Sequence, residues 1–349
     1  MGHYRGGQPP DGEDAMGETV RSRFVKTLSG EMPEDRLPVS EWATWWDKTI
    51  DRWKGEGLPR ELDWHGVKDY LGIDMDYQCW FAQTAEGAAP AEGAPPGSWV
   101  RNMEDYDRLR DRLYPDPVPF DRSAWSAYAQ KQARGDAVVW FSLSGFFWWP
   151  RVLLGIEPHL YAFYDQPEIM HRINADQTAY MLRCIDRFCE VCTPDFMTFA
   201  EDMSYNHGPM ISKGQFDEFM APYYVQVVPK LKERGIHVLV DSDGDVERLI
   251  PWQESVGIEG ILPLERMAGV DVNRIRREHP NWKMIGAFDK MVMHRGEAAI
   301  REEFERLMPV MRSGRYIPSV DHQTPPNVSL TDYHLYLKLL REYAAKAVT

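Results

Sequence analysis

The sequence predicts an α/β fold, a single (β/α)8 barrel of the TIM type with an N-terminal helical extension and a small hairpin insertion. Three observations carry that expectation. From about residue 136 onward, short β-branched or aromatic runs alternate with helix-length amphipathic stretches, the pattern of parallel βα units. Carboxylates directly follow five of those runs, where a barrel gathers its reactive groups. No Gly-x-Gly-x-x-Gly turn follows an early strand, which removes the main argument for a doubly wound open sheet.

Residues 1–18 read as a flexible Gly/Pro/acidic arm with no apolar period, and residues 19–349 as the barrel. A first helix is expected near residues 20–28 and an early strand near 37–41. The stretch WATWWDKTIDRW places aromatics at helical spacing, and Gly55 and Gly57 end it. Residues 85–98 are a loop by composition, set between two short candidate strands, 77–83 and 99–103, that would form the hairpin. Further strands are expected at 137–142, 196–200, 237–240, 260–264, 283–288 and 316–320. Helices are expected between most of them, at 157–192, 213–233, 246–255, 270–277 and 296–312. With the strand at 37–41 this leaves one of the eight strands unplaced.

Composition excludes several classes of function. Forty basic against fifty-four acidic residues leave a net charge of −14, the wrong field for nucleic acid or an anionic membrane surface. Four cysteines are too few for a disulfide scaffold. The longest apolar stretch, residues 138–150, is broken by Ser142, Ser144 and Gly145 and falls short of the roughly 20 residues that span a bilayer. The N-terminus carries no apolar signal core, and Gly6 stands where a myristoylation motif wants Ser or Thr. A cytoplasmic protein with no nucleic-acid or membrane partner is expected.

The strand ends hold the candidate chemistry. Glu201 and Asp202 follow one strand, Asp241 and Asp243 end the next, Glu265 and Asp289 follow two more, and Asp321 precedes His322 at the last. A single strand-end acid is often the N-cap of the next helix, and Asp245 and Asp289 fit that role well. Several converging on one mouth require a cation, a shared proton or a positive substrate. Asp241 and Asp243 alternate, so both can face one ion, with His322 arriving from another strand; two oxygens and one nitrogen suit Zn, Mn or Fe. The alternative is an Asx turn closing on Gly244 with no metal. Cys184, Cys189 and Cys192 read as helix-borne core residues, because no second pair completes four metal ligands. The aromatic run from Trp140 to Trp149 is core, with one or two rings lining a pocket, and Arg151 is either a surface ion pair or an anion contact. His237 lies early in its strand and is expected to be structural. There is no Gly-x-Ser-x-Gly elbow and no Walker loop.

Several segments are similar to the uroporphyrinogen decarboxylase superfamily: PEDRLPVSEWATWW, LLGIEPHLYAFYDQPEIMHRI, EDMSYNHGPMISKGQFDEFMAPYYVQVV, VLVDSDGDVERLIP and GRYIPSVDHQTPPNVSL. The resemblance runs from about Arg21 to Tyr343 and implies one (β/α)8 barrel with its cleft at the C-terminal face. His322 falls where the superfamily places a late active-site histidine. The arginine-rich segment with which the true decarboxylases grip uroporphyrinogen is missing around residues 42–53, where tryptophans and acids stand instead. The zinc methyltransferases of the superfamily hold zinc with His-x-Cys and a later Cys; here Asp241-x-Asp243 and His322 occupy the matching positions.

The resemblance therefore implies a methyltransferase moving a methyl group from a small O- or N-methyl donor to a corrinoid or pterin acceptor. Glu201, Asp202, Asp241 and His322 are the expected catalytic groups. Asp241, Asp243 and His322 are the expected ligands of a divalent metal, zinc first. Trp45, Trp46, Trp148, Arg151, Glu265 and Asp289 are the expected substrate contacts. A decarboxylase of a smaller acid and a non-catalytic barrel binding a corrinoid or a partner are the alternatives. A small-molecule substrate, a corrinoid protein and a second copy of the chain are the partners this reading allows.

Overall fold

The computed structural model describes residues 18–43 and 45–349. Except for Glu18, the arm expected over residues 1–18 lies outside the described residues. Seven parallel strands form one sheet in the order β1 (Asp76–Trp80), β2 (Val138–Ser144), β3 (Phe196–Ala200), β6 (His237–Ser242), β7 (Gly260–Pro263), β8 (Lys283–Phe288) and β9 (Tyr316–Val320). The remaining two, β4 (Ser204–Tyr205) and β5 (Gly208–Pro209), make a short antiparallel hairpin.

The sheet is curled. Val138, Trp140, Phe196, Leu239, Leu262, Ile285 and Ile317 come from six different strands and meet in one buried cluster. Inward positions alternate along each strand, so this layer is apolar while the next one up is polar. The first helix, Val20–Ser29, plugs the N-terminal end: Phe24 and Leu28 join the interior cluster, and Phe24 stacks on Phe196 at 5.3 Å. At that same end His237 meets Lys283 Nζ at 2.7 Å, the structural place its position in the strand suggested.

Four sequence expectations are corrected. Residues 77–83 and 99–103 do not pair; β1 instead runs parallel to β2, with Asp76 opposite Val138, and is the barrel strand left unplaced. The Trp99 and Val100 amides bond to the Leu153 carbonyl, and the small hairpin lies at residues 204–209. Residues 37–41 form no ladder, although they run between the two sheet edges. The Val39 carbonyl accepts from the Asp74 amide, and the Trp42 indole donates to the Val320 carbonyl at 2.9 Å. Pro38 has no amide hydrogen to give a ladder. The helix expected over 157–192 is two, Ile156–Asp165 and Pro167–Cys189, because Pro167 starts a new helix and cannot continue one. Likewise 213–233 divides into Lys213–Phe219 and Ala221–Lys232. No helix of the described residues is long and apolar enough to cross a membrane.

The helices pack outside the sheet, and buried aromatics carry much of that layer. Trp45, Trp53 and Tyr333 form one knot, with centroids 4.7 to 5.9 Å apart. Cys79 and Cys184 are buried, and burial pushes both thiols up to about 12, as expected of core residues.

Candidate active site

The polar layer of the barrel begins with a buried floor. Gln78 Nε2 donates to Ser142 Oγ at 2.8 Å, and Ser142 Oγ lies 2.8 Å from Thr198 Oγ1, linking β1, β2 and β3. Above it, at the C-terminal strand ends, opens a cavity of about 320 Å³. Asp202, Asp241, Asp243 and His322 line it, with Trp42 and Trp80 as walls. No lysine or arginine is among the described residues that line it.

Asp241 is held by β6, opposite Ala200 and Leu262 in the flanking strands. Its backbone carbonyl accepts from the Glu201 amide at 2.8 Å, so β3 and β6 end together. Asp202 then turns into the cavity through a left-handed backbone, φ 40°. Burial, followed by the like charge of Asp243, pushes Asp202 up to about 6, with Arg151 opposing. The same causes, burial and then Asp202 and Asp243, hold Asp241 well above the ordinary carboxylate range.

His322 Nε2 stands 3.6 Å from Asp243 Oδ2, and that contact raises the imidazole against the effect of burial. Glu265 accepts from the Gly244 amide at 2.9 Å. Glu265, rather than Asp243, thus closes the turn at Gly244. Glycine is required at position 244: φ is +83°, and a Cβ would sit 2.8 Å from the Tyr205 backbone.

Two overlapping donor sets result, Asp243–Glu265–His322 and Asp202–Asp241–Asp243, each with ligand atoms within 4.8 Å of one another. The three residues first grouped by spacing, Asp241, Asp243 and His322, are therefore divided between two sets that share Asp243.

Other sequence candidates lie elsewhere. Glu201 is fully buried and points away from the cavity, accepting from the amides of Phe146, Phe147 and Trp148 at 2.8, 2.7 and 3.1 Å and from the Tyr224 hydroxyl. Trp45 is core, stacked on Trp64 at 5.8 Å. Trp46 is exposed just before the helix Asp47–Glu56. Trp148 sits beneath the Arg151 guanidinium at 5.0 Å, and Arg151 donates to the Asp202 carbonyl at 3.3 Å, at the edge of the site. Asp289 caps a short 3-10 helix by accepting from the Met291 amide at 2.9 Å. Asp321 is buried and accepts from the Arg266 and Lys290 amides and the Lys290 amine.

Sequence reasoning missed Trp42, Gln78, Trp80 and Gln323 as lining residues. Reading residues 76–80 as a barrel strand would have found two of them, since Gln78 and Trp80 are alternate positions near its C-terminal end. Trp42 needed the position of the 37–41 segment between the two edges of the sheet.

The family model described as uroporphyrinogen decarboxylase (URO-D) matches residues 151–343, more than half of the chain. No curated protein matches the sequence. Among solved structures, the chain is similar to a methyltransferase from Methanosarcina mazei, with TM-score 0.60 and 11% identity over 93% of this chain and 98% of that one. A protein from Listeria monocytogenes assigned as a vitamin-B12-independent methionine synthase aligns with TM-score 0.43 and 12% identity, over 90% of this chain and 97% of that one. The first of these is a likeness of fold along nearly the whole of both chains.

Proposed function

This chain belongs to the uroporphyrinogen decarboxylase family, and from that premise we propose that it is a methyltransferase, moving a methyl group from a small O- or N-methyl donor to a corrinoid or pterin acceptor. One observation carries the reading: the cavity at the strand ends is lined by three carboxylates and a histidine, with no lysine or arginine among its described lining residues. A polycarboxylate such as uroporphyrinogen would meet like charge there. The methyltransferase fold neighbour from Methanosarcina mazei supports the same direction.

In methyl transfer the acceptor's nucleophile attacks the methyl carbon, and the old bond's electron pair stays on the leaving oxygen or nitrogen. A leaving oxygen, or the nitrogen of an uncharged amine, needs a proton or a Lewis acid; a quaternary nitrogen leaves as a neutral amine and needs neither. Asp202 and Asp241, held above the ordinary range, keep a proton closer to neutral pH than a surface aspartate does and can deliver it. Trp42 and Trp80 give the cavity aromatic walls beside these acids. The Asp243–Glu265–His322 set fits a divalent ion by its chemistry, one imidazole and two carboxylates with ligand atoms in mutual reach. Such an ion, zinc first, would polarise the leaving atom.

A decarboxylase acting on a smaller acid is the second reading. Arg151 favours it, because its guanidinium lies at the edge of the site and could meet one carboxylate.

Metal content of the wild type beside Asp243→Ala and His322→Ala, followed by assay of O- and N-methyl donors with a corrinoid acceptor, tests the proposal. Near-stoichiometric metal lost in both variants, with methyl transfer, is expected. Carbon dioxide release from small carboxylic acids without methyl transfer would replace it with the second reading.

A further inference from the structure

We infer that the methyl donor is a methylated ammonium cation, held between the rings of Trp42 and Trp80 and the carboxylates of Asp202, Asp241 and Asp243. The inference rests on the methyl-transfer reading and narrows its donor.

Charge is the first argument. Ligand oxygens of the three aspartates lie within 4.8 Å of one another, and no described lysine or arginine lines the cavity to offset them. Of the two donor sets, this one has no imidazole, so it is the poorer of the pair for a zinc-like ion and the better counter-charge for an organic cation.

The walls are the second argument. The Trp42 indole N–H is engaged by the Val320 carbonyl at 2.9 Å, so it is not free to donate to a ligand in the cavity. Trp80 lines the same cavity while 54% exposed, an indole at the mouth with room beside it. Tryptophan is the strongest of the aromatic partners for a cation. A fully methylated nitrogen carries no N–H and gains nothing from hydrogen-bond acceptors, so recognition falls to aromatic rings and net charge, and this cavity is lined by two indoles and three carboxylates. A volume of about 320 Å³ holds a small methylammonium compound and leaves space for the acceptor's approach.

The transfer balances without a proton. The acceptor's electron pair forms the new bond to the methyl carbon, and the C–N bond breaks with its pair remaining on nitrogen. A quaternary ammonium therefore leaves as a neutral tertiary amine, having lost the charge that held it, which favours product release.

Calorimetric titration of the purified, metal-loaded protein with choline and with its neutral carbon isostere, 3,3-dimethylbutan-1-ol, tests the inference. Choline should bind at least about tenfold tighter than the isostere, and Trp80→Ala should weaken choline by about tenfold. Trp80 is exposed, so that variant should fold; Asp241→Asn should weaken choline also. Equal binding of the two compounds, or no binding of either, overturns the inference. A second equivalent of divalent metal that displaces choline and is lost in Asp241→Asn overturns it too, because the three aspartates would then be metal ligands. Turnover of an aryl methyl ether without choline binding sinks the inference and leaves the methyl-transfer reading standing. Absence of methyl transfer from every donor sinks the reading itself.

Discussion

Glu201 and Asp202 are neighbours in sequence with opposite employments. The Glu201 carboxylate anchors the turn after β2, and a Cβ at Gly145 would lie 2.0 Å from its carboxyl carbon, so nothing larger than glycine fits beside it. Glu201→Ala strands two buried amides, a half-buried one and the buried Tyr224 hydroxyl without this acceptor, and should cost about 3–5 kcal/mol in urea unfolding. Gly145→Ala should also destabilise, by forcing that carboxylate aside. Asp202→Asn should leave the urea midpoint equal or higher, since it removes a repelling charge, while lowering turnover. Equal loss of stability in Glu201→Ala and Asp202→Asn would contradict this division. The sequence displays both acids at a strand end, and alternation says that one faces inward. Which one does depends on where the ladder stops and on the left-handed turn at Asp202, and neither is written in local composition. Asp241 could be placed at the mouth because β6 fixes its direction, and Asp243 and His322 reach the same cavity from just past the ends of β6 and β9. Trp45 and Trp46 were misread because a helix shows its aromatic spacing but not the side from which the core approaches.

The first helix, Val20–Ser29, gives the barrel its closed end. Thr19 caps it by accepting from the Ser22 amide, Gly30 ends it in the left-handed region, and Phe24 enters the interior against Phe196, which in turn stacks on Trp140 at 4.7 Å. Phe24→Ala would open a hole under six strands and should cost about 3–5 kcal/mol, read as a lower urea midpoint. A loss below about 1 kcal/mol would mean that the helix merely lies against the barrel. The sheet strands β2, β3, β6, β7, β8 and β9 were legible because each is built around a buried apolar run. β1 was not, since DYQCW is short, and its polar residues Asp76 and Gln78 point inward to Trp140 and Ser142. A polar barrel interior hides a strand from any hydrophobic pattern. The hidden strand is also the one that carries two of the cavity's lining residues.

The molecule as a whole keeps several acids where water does not reach, and this sets its response to pH. Glu41 is buried under the Tyr336 hydroxyl at 2.6 Å and Ser319 at 3.2 Å; burial outweighs both bonds and pushes it from 4.5 up to about 7. Between those values only the unfolded chain gives up its proton. The contribution of Glu41 is therefore complete below about pH 4.5 and is lost as pH rises through about 7. Asp202 and Asp241, also raised, act with the same sign. Glu259 opposes them. Burial alone would raise it, but its contacts with His237 and Lys283 prevail and bring it to about 2, so its contribution is present above about 4.5 and lost as pH falls toward 2. The net charge of −14 adds repulsion on the alkaline side. Stability of the metal-free protein should therefore peak near pH 5 and fall toward pH 7.5, in contrast to a protein whose carboxylates are mostly paired. Glu41→Gln should flatten that fall by about 3 kcal/mol, because an amide keeps an uncharged group at the same place across the whole range. Urea midpoints of the two proteins at about pH 5 and about pH 7.5 decide it. An unchanged slope in Glu41→Gln would mean that the folded protein holds Glu41 as a carboxylate, with Lys68 the cation whose charge acts in its favour.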